Sequence, residues 1–261
     1  MAEPTVYVDV DDRGELGSVV RVTVDHTAKV NILNTPLIEK LAAAIESFHD
    51  DEGLRVMILT GAGDRAFIGG VDIKEMVGLD PASAEAFITR LHGVCAAIRS
   101  LPVPVIARIS GYCLGGGLEV AASCDLRVAS EDSTFGMPEV NVGIPSVIEA
   151  ALLPRLVGWG KARELVYTGL SLSAAEALNC GLVERVVARE KLDRAVEEWV
   201  EAIVNAGARA TRLQKALIRQ WEMLPVDRAI EKGIQAFGQA YQTDEPRTLM
   251  KSFLERRRDK E

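Results

Sequence analysis

The chain has 261 residues, of which 48% are hydrophobic and 26% charged, and its net charge is −8. A chain of this length and make-up can bury a full core without covalent or metal staples. The acidic balance excludes a general nucleic-acid binder, which needs a basic footprint, but leaves room for an anionic small molecule held by a local basic patch.

The start, "MAEPTVYVDVDDRGE", is acidic and has no apolar core of signal-peptide length, and no later run reaches the length of a membrane span. A cytoplasmic protein without membrane contact is expected. "SVVRVTVD" reads as a strand, followed by a helix that Thr35 caps with Pro36 at its first position and that repeats Leu37, Leu41, Ile45 and Phe48 at helical spacing. "LRVMILT" is a continuous apolar run ending at Gly61, as in a buried strand. Asp80 and Pro81 open a second helix with Phe87, Ile88, Leu91, Cys95 and Ile98 inward. "VPVIARI" is the next strand, "GYCLGGG" turns out of it, "LEVAASCD" is helical and "LRVAS" returns as a strand. This rhythm predicts an α/β domain with mainly parallel strands. Ser173 and Glu176 form a capping box, Gly181 stops that helix, "LVERVV" reads as a last short strand, and the chain is helical from Glu190 onward.

Several common sites are absent. Cys95, Cys113, Cys124 and Cys180 lack CxxC spacing, so reduced thiols are expected, with neither a disulfide framework nor a zinc site. "GAGDRA" has the GxGxxA spacing of a dinucleotide turn, but Gly69 and Gly70 follow too soon for the required helix, so it reads as an accidental match and an NAD-dependent oxidoreductase is not expected. Arg108 occupies the first glycine position of a GxSxG elbow around Ser110. His26, His49 and His92 suggest no triad, and His49 and His92 read as solvated helix residues.

Two glycine-rich turns, "FIGGVDIKEM" and "GYCLGGGLE", each follow a strand and lead toward helical sequence. Helix starts expose unpaired N–H groups, and glycine admits a ligand close to them. Two such turns facing one pocket would make an oxyanion hole. Either turn alone reads better as a tight turn that allows close packing. Glu119 and Glu139 sit in apolar runs and could together divide general-acid and general-base work, although each taken alone is more often a surface residue; Asp125 reads as a cap or turn residue.

"AFIGGVDIKEM", "PVIARISGYCLGGGLEVAASCDLRVAS", "TFGMPEVNVGIP" and "GLSLSAAEALNCGLVERVV" together, in this order and spacing, resemble the enoyl-CoA hydratase/isomerase (crotonase) superfamily over nearly the whole chain. The resemblance implies a ββα spiral core, taken as residues 1–195, and a helical trimerisation region, residues 196–261, assembled as a homotrimer or a dimer of trimers. It implies an acyl-CoA thioester ligand, no cofactor beyond the substrate's CoA, and no metal. The oxyanion-hole amides map to Val71 and Gly116, the two acid–base glutamates to Glu119 and Glu139, and the reaction to syn addition of water to a 2-enoyl-CoA, giving a 3-hydroxyacyl-CoA. Glu119 would activate the water and Glu139 would protonate the α-carbon. CoA contacts map to Lys29, Gly69, Asp72, Ile73, Lys74, Phe237 and Arg256; for Arg256 a solvated helix end is the competing reading. An enoyl-CoA isomerase, an acyl-CoA thioesterase and a catalytically weak acyl-CoA-binding subunit are the alternatives. The chain departs from the family where Ser146, Val147, Ile148 and Glu149 stand in a stretch that many hydratases fill with small residues. That bulk is expected to change or shorten the accepted acyl chain. Glu149 is read as pointing to solvent, with a contact to a polar acyl group as the alternative.

Overall fold

The computed structural model describes residues 3–258. In chain order it holds β1 (Thr5–Asp12), β2 (Ser18–Asp25), α1 (Thr35–Glu46), β3 (Leu54–Gly61), β4 (Ala66–Ile68), α2 (Ile73–Met76), α3 (Pro81–Ser100), β5 (Val105–Ile109), β6 (Tyr112–Leu114), α4 (Gly116–Ser123), β7 (Leu126–Ser130) and β8 (Thr134–Gly136). There follow α5 (Leu153–Thr168), β9 (Ser171–Ser173), α6 (Ala174–Asn179), β10 (Arg185–Val187), α7 (Leu192–Val204), α8 (Ala208–Trp221), α9 (Val226–Ala240) and α10 (Glu245–Arg258). No helix of the described residues is long and apolar enough to cross a membrane.

Two sheets run side by side. The larger has the order β1-β2-β3-β5-β7-β10 and the smaller β4-β6-β8-β9. From β3 to β8 the chain repeats one motion: a strand in the large sheet, a three-residue strand in the small sheet, then helical backbone. This is the expected ββα spiral. Within each sheet these strands are parallel, as β-strands joined by crossovers must be.

Period-2 alternation explains why β3 reads as an unbroken apolar run. Met57 and Leu59 face the main core, while Val56 and Ile58 face the other side, where α7 lays down Leu192, Val196, Val200 and Val204. A strand covered on both faces has no solvent side on which to carry polar residues. Residue 195, the boundary taken from the sequence, therefore falls inside a helix that packs on the sheet.

Local details correct the reading of the sequence in three places and add a strand it did not include. The cap of α1 is Asn34, not Thr35: Asn34 is extended and its Oδ1 accepts the Leu37 N–H at 3.1 Å, while Thr35 is already helical. The acidic start forms β1, antiparallel to β2 on the sheet edge, where alternate polar residues are tolerated. "GYCLGGG" is not only a turn, since Tyr112–Leu114 is β6. In "LVERVV" only Arg185–Val187 is strand. The capping box of Ser173 and Glu176 and the left-handed Gly181 (φ +81°) are present as expected.

Asp125 does more than turn the chain. It accepts from Val105 N–H and pairs with the buried Lys215 of α8 at 2.8 Å, while Lys215 also donates to the carbonyls of Ile98 and Val103. Arg212 of α8 donates to the carbonyls of Asp51, Glu52 and Leu54. These polar ties fasten the first C-terminal helix to the core. Beyond it, α9 buries no residue and leaves Ile230, Ile234 and Phe237 exposed.

Gly93, in the middle of α3, has open space where a Cβ would stand. Gly93→Ala should stabilise the fold by about 0.5–1 kcal/mol, because alanine loses less backbone entropy in a helix. Thermal unfolding checks this: Tm should rise, and a fall would mean that the α3 surface is covered in the assembled protein.

Candidate active site

The site grows from the small sheet. Its strands β4, β6 and β8 pair in register, Ile68 with Cys113, Cys113 with Phe135 and Leu114 with Gly136. Parallel strands end on the same side, so three chain segments leave together: Gly69-Gly70-Val71 after β4, Gly115-Gly116 after β6 and Met137-Pro138-Glu139 after β8. The motifs singled out in the sequence are distant along the chain and adjacent in space for this reason.

The first segment passes through Gly70 at φ +118° and then bridges to Leu33 in parallel at Val71. Leu33 N–H donates to Gly70 O, and Asp72 N–H donates to Leu33 O. Successive N–H groups in extended chain point to opposite sides. With Asp72 N–H taken by Leu33, Val71 N–H faces away from it, and no protein acceptor takes it among the described residues. The second segment turns through Gly115 at φ +53°, whose N–H donates to Gly136 O. An L residue rarely adopts that conformation. Gly116 then opens α4 with no capping side chain, and its N–H also lacks a protein acceptor among the described residues. The two turns touch: a Cβ on Gly116 would stand 3.2 Å from Val71 Cγ1. Two unpaired N–H groups at adjoining turns, one at a helix start, can hold an oxygen that gains negative charge.

Glu119 lies one turn into α4, whose eight residues are all buried, and is itself 3% exposed. Its Oε1 accepts the Ala150 N–H at 3.2 Å. Burial among apolar neighbours pushes its pKa up to about 8, aided by the charges of Glu139 and Glu149 and opposed by the Ala150 N–H. Glu139 is the second residue of the 3-10 turn Pro138–Val142. Its Oε2 accepts from Ser146 Oγ at 2.9 Å, and its Oε1 lies 2.5 Å from where a Cβ on Gly115 would stand. Burial raises its pKa as well, against the Ser146 bond. The Glu139 carboxyl thus borders the glycine turn from which the helix of Glu119 starts, Glu119 feels its charge, and burial makes both resist ionising. Two acids of this kind can share a proton and exchange it with a bound molecule.

Lys29 and Asp72 meet at 3.2 Å beside the first turn. Asp72 also caps α2 by accepting Lys74 N–H. Burial would raise the Asp72 pKa, but the bonds from Lys29 and Lys74 prevail and lower it. Gly69 N–H donates to Val30 O, and a Cβ at Gly69 would strike that carbonyl, which fixes the Lys29 turn against the glycine turn. Ile73 and Lys74 are exposed at the start of α2. Phe237 and Arg256 are not brought to this cluster: Phe237 is 69% exposed on α9 against Tyr241, and Arg256 bonds its own helix at Ser252 O.

One reading of the sequence is overturned: Glu149 is not at the solvent but 7% exposed. His92 is exposed on α3 as read, and its Nδ1 also lies 2.9 Å from Glu149 Oε1. His49 is exposed in the turn after α1, beside Asp50, and His26 is buried with Nδ1 against Ile32 O. "GAGDRA" forms the turn between β3 and β4 and opens no helix. The four cysteines are free. Ser146 and the Ala150 N–H were not foreseen as partners of the two glutamates. The signal available was the polar residues of "SVIEA" within a stretch of apolar sequence.

Residues 14–260 match the family model described as enoyl-CoA hydratase/isomerase. The chain is 35% identical to a short-chain-enoyl-CoA hydratase of Clostridium acetobutylicum, with 93% of each protein covered. It is 37% identical to a crotonyl-CoA hydratase of Syntrophomonas wolfei, with 88% of each covered. Among solved structures it is similar to an enoyl-CoA hydratase of Mycobacterium smegmatis, at a TM-score of 0.92 and 32% identity over 97% of each chain. A second similar structure is an enoyl-CoA hydratase of Bacillus anthracis, at a TM-score of 0.90 and 33% identity, covering 95% of this chain and 96% of that one.

Proposed function

Since the chain belongs to the enoyl-CoA hydratase/isomerase family, we propose that it is an enoyl-CoA hydratase in which Val71, Gly116, Glu119 and Glu139 carry the reaction. The observation that supports this most is the meeting of the buried Glu119 and half-buried Glu139 carboxyls, both with raised pKa, with two unpaired N–H groups at one pair of glycine turns.

In the hydration direction Glu119 takes a proton from water as the water oxygen bonds to the β-carbon. The electrons of the C=C bond move toward the thioester carbonyl, whose oxygen gains negative charge and is held by Val71 and Gly116 N–H. Glu139 then delivers its proton to the α-carbon, on the same face, and the product is the 3-hydroxyacyl-CoA. Dehydration runs the same path backward. The raised pKa values have a direct use here, because either direction needs one proton on the pair: on Glu139 for hydration, on Glu119 for dehydration.

Lys29, Asp72, Ile73 and Lys74 border the Val71 turn, where the basic side chains suit the phosphates of CoA. The exposed apolar face of α9, which carries Phe237, supports assembly of the C-terminal helices into a homotrimer, or a dimer of trimers, with residues 196–261 as the contact region and Arg256 free to reach CoA. The substrate itself brings the CoA, so the scheme asks for no separate cofactor.

A short acyl chain is proposed, because Ile148 packs against the core and Ser146 is engaged by Glu139, so this segment narrows the space beside the glutamates. With a series of 2-enoyl-CoA esters, loss of enoyl absorbance should be fastest for crotonyl-CoA, and kcat/KM for a C10 chain should be lower by about 10-fold or more. The product should be heavier by one water. An unchanged mass would assign an isomerase instead, and release of free CoA a thioesterase.

A further inference from the structure

Glu149 is the third carboxyl of this region, and the proposed scheme does not use it. It sits in the 3-10 turn Ile148–Leu152, which packs on α3 and α4. The turn is costly on three counts. Ile148 has φ +27°, a conformation that a β-branched residue avoids. Glu149 is buried. Its Oε2 has no hydrogen-bond partner among the described residues. Packing alone would favour an apolar residue here. What Glu149 makes instead is one bond: its Oε1 accepts from His92 Nδ1–H on α3 at 2.9 Å. The next residue, Ala150, shares its N–H between Val147 O at 2.8 Å within the turn and Glu119 Oε1 at 3.2 Å. Strain, tether and donor therefore occupy three consecutive residues.

We propose that Glu149 and His92 are a positioning pair for Glu119: their hydrogen bond ties the strained turn to α3 and so aims Ala150 N–H at the Glu119 carboxyl. This rests on the reading of Glu119 as an acid–base group and adds a residue pair that acts through it. The pair touches no reacting atom. Without the tether, the turn can relax at Ile148, Ala150 moves, and Glu119 loses the donor that fixes its orientation. The half-exposed His92 is the outer end of the tether and Glu149 the inner end.

The pH profile gives a readout that plain packing would not move. The ionisable groups facing Glu119 are Glu139 from the turn after β8, Glu149 from its own turn and Cys95 from α3, with the N–H groups of Val147 and Ala150 opposing them. Removing the Glu149 charge takes away one influence that raises Glu119, so the basic limb of the profile should move to lower pH.

The test uses the full-length enzyme and crotonyl-CoA, with Glu149→Ala, His92→Ala and Glu149→Gln. Alanine at either position cuts the tether, and kcat should fall by about 10–100-fold, with KM changed by less than about threefold. Glutamine keeps an oxygen for His92 Nδ1–H and loses only the charge. It should restore kcat to within about fivefold of the parent and shift the basic limb downward. If Glu149→Ala fails to fold, His92→Ala still cuts the tether from the surface side. A kcat within twofold of the parent in the alanine variants overturns the proposal, as does a Glu149→Gln enzyme as slow as Glu149→Ala. Glu119→Gln separates the two levels. If Glu119→Gln stays active, the functional reading falls and this proposal with it; if it is inactive while Glu149→Ala and His92→Ala are normal, only the positioning role is lost.

Discussion

Glu119→Gln is expected to lower kcat for crotonyl-CoA hydration by about 10²–10⁴-fold, the range for loss of a general acid–base group, while leaving the fold intact. Glutamine keeps an oxygen for the Ala150 N–H but cannot exchange a proton. The same variant should be more stable than the parent, and the gain should depend on pH with a defined sign. The pKa of Glu119 is raised on folding from 4.5 to about 8, so the folded state resists its ionisation. That penalty is absent below about pH 4.5, grows as pH rises, and is complete above about pH 8. The Tm difference between Glu119→Gln and the parent should therefore be larger at pH 9 than at pH 5. In the parent, turnover should fall on the basic side with an apparent pKa near 8, as the pair loses its shared proton. Equal Tm differences at the two pH values would remove the buried, proton-retaining Glu119 from the account, and near-parental turnover would remove its role in catalysis.

Gly117→Ala should damage binding of the developing charge without touching either carboxyl. A Cβ at Gly117 would stand 2.2 Å from the backbone oxygen of Ile68, which no side-chain rotation can relieve. Ile68 ends β4 just before Gly69-Gly70-Val71, and Gly117 follows Gly116, so the clash drives the two unpaired N–H groups apart. A displacement of about 1 Å costs on the order of 10²-fold in rate, so kcat/KM should fall by about that factor. Overpacking of this kind also costs about 1–3 kcal/mol, which should appear as a lower Tm. An unaltered kcat/KM would show that the spacing of Val71 and Gly116 does not matter to the chemistry.

Much of this site is legible in the linear chain, and the parts that are not share a cause. The glycine turns and the two glutamates can be found because close backbone approach demands glycine and because an acid within an apolar run is conspicuous. β3 is legible because it is covered on both faces. β1 is not, because an edge strand open to solvent carries the same acidic residues as a loop. β6 is hidden for another reason: it is three residues long and exists only through pairing with β4 and β8. Glu149 is hidden most fully. Its burial depends on His92, 57 residues earlier in the chain, and local pattern cannot reveal a partner at that separation. The tie between Asp125 and Lys215 escapes for the same reason, across 90 residues.

Three of the four short strands of the small sheet, β4, β6 and β8, have a consequence for how such a site can change. The first two deliver the backbone groups that would grip a thioester oxygen, and the third delivers a carboxyl on a segment of its own. Gly116 and Glu119 share the second winding, whereas Glu139 rides on a third winding of its own. Substitutions after β8 can alter what happens to a bound thioester while its anchoring stays as it is, because the backbone amides after β4 and β6 do not depend on any side chain in that segment. The winding of the fold thereby lets the Glu139 segment change apart from the two amides and from Glu119.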